Sequence, residues 1–352
     1  MLVVAAACDP IYTFHEVLAP GGISSLHQLP DGAYLLGGTY QNTKTSFFDA
    51  ALIRMNAAGE IEWMRFYPYT NLRGDVNSIQ PTADGGYILA GELNGPLPPS
   101  TLLVKTDANG WPLWERTYDD YPYAIAVTET EGGYVFAART PGGSDYHPIL
   151  VKTDRSGEVL WATVFARTNE PSRDMVPASD GGFVVVSSNS PGGVITKTDQ
   201  AGQVVWTKSA SFPHSIRRTS DDGYIVAGGK DDVSLKKIDA AGNTVWSKSY
   251  GGSASDTAWA VAVALDGGYV LAGETKSAGV GVSDAYLVKT DASGNLIWEK
   301  TFGGSGSETA YAVLATADGG FMLGGNTGSI PGIYVYGHVV KTDADGNAPQ
   351  FP

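Results

Sequence analysis

The chain has 352 residues, 43% of them hydrophobic and 17% charged, with a formal net charge of −14. Its 23 Lys and Arg are scattered rather than gathered in a stripe, which excludes a nucleic-acid binder that tracks phosphates. The apolar content excludes disorder, and a single cysteine excludes an intramolecular disulfide framework.

Residues 1–10 read as a signal-peptide-like, lipobox-like or disordered N-terminus. The run Leu2-Val-Val-Ala-Ala-Ala7 places small residues just before Cys8, as at the end of a lipoprotein signal peptide. The expectation is lipid attachment at Cys8. A secretion-signal remnant and a chance apolar terminus are the alternatives. Each export reading puts the protein at the cell surface, in the periplasm or outside the cell. No later segment is long and apolar enough to be a membrane-spanning helix.

Next comes an isolated apolar segment, Ile11-Tyr-Thr-Phe-His-Glu-Val17, and after it one block recurs seven times. Its anchors are Tyr34, Tyr87, Tyr134, Phe183, Tyr224, Tyr269 and Phe321, each behind an acidic-Gly turn. A period near 50 residues signals a repeat architecture. The clearest copy runs from Asp266 to Phe302 and reads as strands separated by two turns. An Asp-Gly-Gly turn joins the first strand to the second. An Asp-x-x-Gly turn (Asp291/Gly294 here) joins the third to the fourth. A tryptophan follows that glycine by four residues: Trp63, Trp114, Trp161, Trp206, Trp246, Trp298. One large aromatic per unit at a fixed place predicts packing between neighbouring sheets. No stretch carries a helical apolar period.

Seven such units predict an all-β chain: residues 11–352 as a single seven-bladed β-propeller of four-stranded antiparallel blades. The seventh copy ends at Asn347-Ala-Pro-Gln-Phe-Pro352 without its tryptophan strand. The segment at about 11–17 is therefore expected to complete the last blade and close the ring.

The units Asp-Gly-Gly-Tyr-x-Leu-Ala-Gly and Lys-Thr-Asp-x-x-Gly-x-x-x-Trp resemble those of a group of bacterial and archaeal β-propeller repeat proteins. The resemblance covers residues 11–352. It implies the fold and carries over no activity.

In an antiparallel meander the short, uniform turns lie at one end of every blade and the variable connections at the other. Variable loops on a rigid scaffold are where binding residues concentrate. The candidates there are Tyr40, Phe48, Tyr69, Tyr121, Tyr123, Tyr146, His147, His214, Tyr334 and Tyr336, residues that stack on sugars or anchor a protein partner. Asp75, Asp256 and Glu308 start inner strands. They read as local caps or, if they converge on the channel mouth, as ligands of a cation such as Ca²⁺. No other cofactor is expected. Asp343-Ala-Asp-Gly-Asn347 reads as a plain turn.

The leading functional expectation is a non-enzymatic secreted or cell-surface propeller binding a protein or glycan. The alternatives are a glycan-active hydrolase or lyase, served by loop arginines such as Arg73, Arg139, Arg167 and Arg173, or a scaffold subunit. A further alternative is a quinoprotein-like enzyme, because Asp-x-x-Gly-x-x-x-Trp is similar to the tryptophan-docking unit of pyrroloquinoline-quinone dehydrogenases. No His-x-x-x-His pair, Gly-x-Ser-x-Gly elbow or phosphate loop occurs.

Overall fold

The computed structural model describes residues 13–42, 48–69, 72–95, 98–141, 146–165, 171–189, 192–331 and 335–350. Cys8, Ile11, Tyr12, Arg167 and Tyr334 lie outside them. The described residues form 27 strands and no helix. Five blades are separate four-stranded antiparallel sheets, and the remaining strands form one seven-stranded sheet.

That large sheet is two blades sharing the strand Phe14–Gln28. Its first half, Phe14 to Pro20, pairs with Tyr336–Thr342 as the outer strand of blade 7. Its second half, 21–28, pairs with Tyr34–Gln41 as the inner strand of blade 1. One strand thus serves two blades, which is how 27 strands build seven four-stranded blades. The expected closure is present, and it runs uninterrupted into the first blade.

Phe14 explains how the missing tryptophan is replaced. In blades 1 to 6 the tryptophan faces a basic residue of the third strand, as in Lys105 with Trp114 and Lys289 with Trp298. Phe14 holds the same register opposite Lys341. The aromatic of each blade then lies on the Asp-x-x-Gly turn of the next. A Cβ on Gly294 would come 2.7 Å from the Trp246 ring, and one on Gly59 would come 2.8 Å from Phe14. Both glycines also hold positive φ, +76° and +91°, so the turn needs glycine for conformation and for close approach.

The two repeated turns are tied together. The lysine of Lys-Thr-Asp is buried and its Nζ reaches the Asp-Gly-Gly aspartate of the same blade: Lys105 to Asp84, Lys197 to Asp180, Lys237 to Asp221, Lys289 to Asp266 and Lys341 to Asp318. Blade 1 substitutes Arg54 and Asp31. The Asp84 carboxyl, held by the Thr82 hydroxyl and then by Lys105, falls to about 2.

The core is distributed between the blades. Seven apolar clusters occupy the seven blade boundaries. The one at the seam joins Phe14, Leu18, Met322 and Val339 to Leu36 and Ile53.

Candidate functional site

Inner strands line the central channel, and their alternation is broken at one recurring place. A β-bulge interrupts the pairing of the first and second strands around Ser24, Asn77, Arg173, His214, Trp259 and Tyr311. Each stands ten residues ahead of its anchor aromatic, as Ser24 before Tyr34 and Trp259 before Tyr269. Blade 3 has a turn one residue shorter, and Ile125 holds the equivalent place, its amide on the Ala137 carbonyl. A bulge turns one extra side chain out of the sheet. Here all seven line one cavity of 680 Å³ on the propeller axis.

The bulges also stitch the blades together. A bulge leaves carbonyls without ladder partners, and the polar bulge residue of the preceding blade donates to them. Ser24 Oγ donates to Val76 O at 2.5 Å, Asn77 Nδ2 to Ala124 O at 2.9 Å, and His214 Nδ1 to Ala258 O at 3.0 Å. One position further on, a side-chain oxygen accepts an amide from the next blade. Ser25 takes Ile79 N, Ser78 takes Val127 N, Asp174 takes Ile216 N, and Ser215 takes Val261 N. Asp174 stands where the other blades have Ser or Ala, and it also binds Arg217 at 2.6 Å.

The channel wall changes character around the ring. His214 stacks on Trp259 with centroids 4.4 Å apart at 17°, and Tyr311 follows at 6.0 Å from Trp259. Burial holds the His214 imidazole below its ordinary pKa; the Ala258 carbonyl pulls it up and the Arg173 charge pulls it down. On the other side of Arg173 lies Arg139. Ser172 Oγ donates to Ala138 O, which seats the blade 4 inner strand against blade 3 and brings the Arg173 side chain within electrostatic reach of Arg139. Burial, then the Arg139 charge, lower the Arg173 pKa.

The Arg139 guanidinium is held between two rings, 3.3 Å from the Tyr123 centroid and 4.0 Å from that of Tyr146. Tyr123 has φ +61°, a left-handed conformation that costs a bulky residue free energy. Arg73 lies over Phe48 at 4.7 Å and binds Asp75 at 2.9 Å. Glu92, the cross-strand neighbour of Asp75, completes the group. Its pKa is raised by burial and then by Asp75, while Asn94, Arg73 and Arg139 pull it down.

Of the sequence candidates, Phe48, Tyr123, Tyr146 and His214 thus belong to one cationic–aromatic group at the variable-loop end of blades 1 to 5. The other described candidates are engaged in local packing within or between neighbouring blades. Tyr40 packs on Phe66, centroids 4.3 Å apart. Tyr69 packs against the core between blades 1 and 2 and donates to Glu115. Tyr121 packs between blades 2 and 3. His147 closes a loop on Thr140, and Tyr336 pairs with Thr327 in blade 7.

The three acidic candidates do not converge. Asp75 is engaged by Arg73. Asp256 accepts from Thr275, Ser277 and the Gly252 amide. Burial alone would raise its pKa, but these donors hold it below the usual carboxylate value. Glu308 accepts from Thr327, Ser329 and the Gly304 amide. Asp256 and Glu308 cap their own loops, and among the described residues no group of three or more His, Cys, Asp or Glu is placed to hold a metal. The bulge residues Trp259 and Tyr311 are what the sequence reading missed; their signal was the fixed offset from the anchor.

No curated protein matches the chain in sequence. Among solved structures it is similar to Sqt1 from Chaetomium thermophilum, at 12% identity and TM-score 0.56, covering 97% of this chain and 100% of that one. It is similar to the Dos1 propeller, at 10% identity and TM-score 0.59, covering 98% and 97%. It is also similar to a catalytically inactive virginiamycin B lyase from Staphylococcus aureus with quinupristin, at 10% identity and TM-score 0.59, covering 93% and 99%. At these identities the likeness shows the fold alone. Sequence goes further: a family model matches residues 149–350, more than half of the chain, and the protein belongs to that family, outer membrane protein assembly factor BamB.

Proposed function

We propose that the chain is a non-enzymatic, protein-binding propeller that works outside the cytoplasm, at the cell envelope, and docks its partner on the variable-loop end of blades 1 to 4. One observation carries this reading. The loop aromatics Phe48, Tyr123 and Tyr146 are stacked on the guanidinia of Arg73 and Arg139 at the variable-loop end. Aromatic residues and arginine are what the centres of protein interfaces are enriched in. A rigid ring of blades holds them at little entropic cost on binding. Membership in a family of assembly factors supports a protein partner, and the lipobox-like run of small residues before Cys8 supports export with a lipid anchor.

The test is site-specific photo-crosslinking in intact cells from Phe48 and Tyr146, with Leu160 and Val205 on the opposite, short-turn end as controls. Both controls are exposed. Defined protein adducts from the first pair and none from the second are expected. Adducts only from the controls would sink the assignment of the face.

A second reading, a glycan-active enzyme, is favoured by the Asp75–Glu92 neighbours, since glycosidases use paired carboxylates. Asp75 is already bound by Arg73, which makes it a poor nucleophile. Hydrolysis of a polysaccharide panel that vanishes in Glu92→Gln would establish this reading over the first.

A further inference from the structure

The charges of the site are out of balance in one place. Arg73 has Asp75, and Arg217 has Asp174. Among the described residues, Arg139 and Arg173 form no ion pair. Arg173 donates Nε to Ser188 Oγ at 3.1 Å, and Arg139 Nε is buried without a hydrogen-bond partner. Neighbouring residues of two blades thus carry two unpaired guanidinia that feel each other's charge, in a protein whose net charge is −14. Both faces of Arg139 are covered by Tyr123 and Tyr146, so its donors are free only in the plane of the group. An in-plane fork is the geometry that binds a carboxylate or phosphate. Tyr123 takes up a strained conformation to make this stack. Strain and like-charge crowding both signal a site organised for a ligand not yet in place.

We propose that Arg139 and Arg173 form a carboxylate-binding site at the channel mouth, which receives an acidic side chain or chain end of the partner protein. This rests on the protein-binding reading and names the chemistry of the docked group. Both carboxylate and phosphate suit a guanidinium pair. The strongly negative chain disfavours a multiply charged phosphate polymer, whereas a single carboxylate brings one negative charge and two acceptor oxygens to a pair of guanidinia. Next to Arg173 the channel offers the stacked His214 and Trp259, a wall suited to the apolar and aromatic neighbours of an acidic residue in a peptide.

His214 is a built-in reporter, because the Arg173 charge adds to burial in depressing its imidazole and an anion bound on Arg173 relieves the charge effect. The experiment titrates the full chain with the peptide acetyl-Ala-Glu-Ala-Glu-Ala-amide, following the His214 ring by NMR. The glutamine version of the peptide and inorganic phosphate serve as comparators. The glutamate peptide is expected to move the His214 resonance and raise its pKa, and the glutamine peptide to do neither. Arg173→Gln and Arg139→Gln are each expected to weaken the peptide by about tenfold or more, the scale of a lost charge-assisted contact. If Arg139→Gln fails to fold, Arg173→Gln carries the test, since Arg173 projects into the open channel. Equal binding of the two peptides, equal binding by the variants, or binding of phosphate without peptide overturns the proposal. Photo-crosslinks that survive in Arg139→Gln and Arg173→Gln also overturn it while leaving the protein-binding reading intact. Arginine-dependent peptide binding without any crosslinked partner does the reverse.

Discussion

Nε2 of His15 lies 2.6 Å from Nε2 of His338, across the seam where the first strand completes the last blade. One ring must donate and the other accept, so the pair accommodates neutral imidazoles and resists a second charge. Nδ1 of His15 bonds the Pro349 carbonyl, tying the last residues of the chain to the same seam. His338 has no solvent exposure. Burial first, and then the charge of His15, lower its pKa to about 3. Burial lowers that of His15, with Pro349 and Glu308 pulling the other way.

The sign of the pH dependence follows. A histidine whose pKa is depressed on folding binds its proton more tightly in the unfolded chain. Its contribution to stability is complete above the unfolded value near 6.5 and is lost as pH falls from there toward 3. For His338 the loss is about 1.4 kcal/mol per pH unit. Denaturant unfolding at a series of pH values between about 7 and 4 should show this slope, and His338→Gln should flatten it. Parallel pH profiles for the two proteins would show that the seam does not titrate.

Phe14 is the second test of closure. It is buried, holds the tryptophan register opposite Lys341 and lies on Gly59. Phe14→Ala should cost about 3–5 kcal/mol in unfolding free energy, as for a core phenylalanine. Phe14→Trp places in blade 7 the residue that the other six blades use, and should cost less. A Phe14→Ala cost no larger than that of an exposed residue would mean that the seam is not cooperative with the ring.

The repeat made most of this architecture readable in advance. Tryptophan spacing, the two glycine turns and the absent strand after Val340 each follow local chemistry, and so does the reading of Ile11 to Val17 as the latch. The channel was not readable in the same way. A bulge depends on strand pairing and needs no particular side chain, so the six bulges and the equivalent place in blade 3 hold Ser24, Asn77, Arg173, His214, Trp259, Tyr311 and Ile125 with no shared residue type. The stack on Arg139 joins the connection that enters its blade and the loop between its second and third strands to the end of a strand, and its neighbour Arg173 comes from the next blade. No periodicity in the sequence shows that meeting. Asp256 and Glu308 were legible as caps because Gly-Gly-Ser-x-Ser precedes both.

The lysine of each Lys-Thr-Asp unit gives a third prediction. Lys289 Nζ binds both Asp266 oxygens, at 2.7 and 3.0 Å, and the Thr290 carbonyl at 2.9 Å. Lys289→Met keeps the buried stem and removes all three bonds. Asp266 is largely solvated, so its freed charge costs little, while the buried carbonyl loses its donor. The expected loss is about 1–3 kcal/mol, the cost of an unsatisfied buried group. Urea unfolding measures it, and no loss at all would mean that the Asp-Gly-Gly turn holds without the lysine.

Asp174 separates two roles in the inner belt. It accepts the Ile216 amide and the Ser215 hydroxyl, and it pairs with the half-exposed Arg217. Asp174→Ser restores the residue that Ser25, Ser78 and Ser215 supply at the same position, so the blade-to-blade amide bond survives while the ion pair is lost. A solvated pair of this kind is worth about 0–1 kcal/mol. Asp174→Ala removes the acceptor as well and should cost about 1–3 kcal/mol, because the amide at the blade 4–5 boundary is left unpaired. The order Asp, then Ser, then Ala in unfolding free energy would establish the belt as a structural element of the ring. Ser and Ala variants of equal stability would mean that water replaces the acceptor from the channel side, and the belt would then be a consequence of blade packing rather than one of its causes.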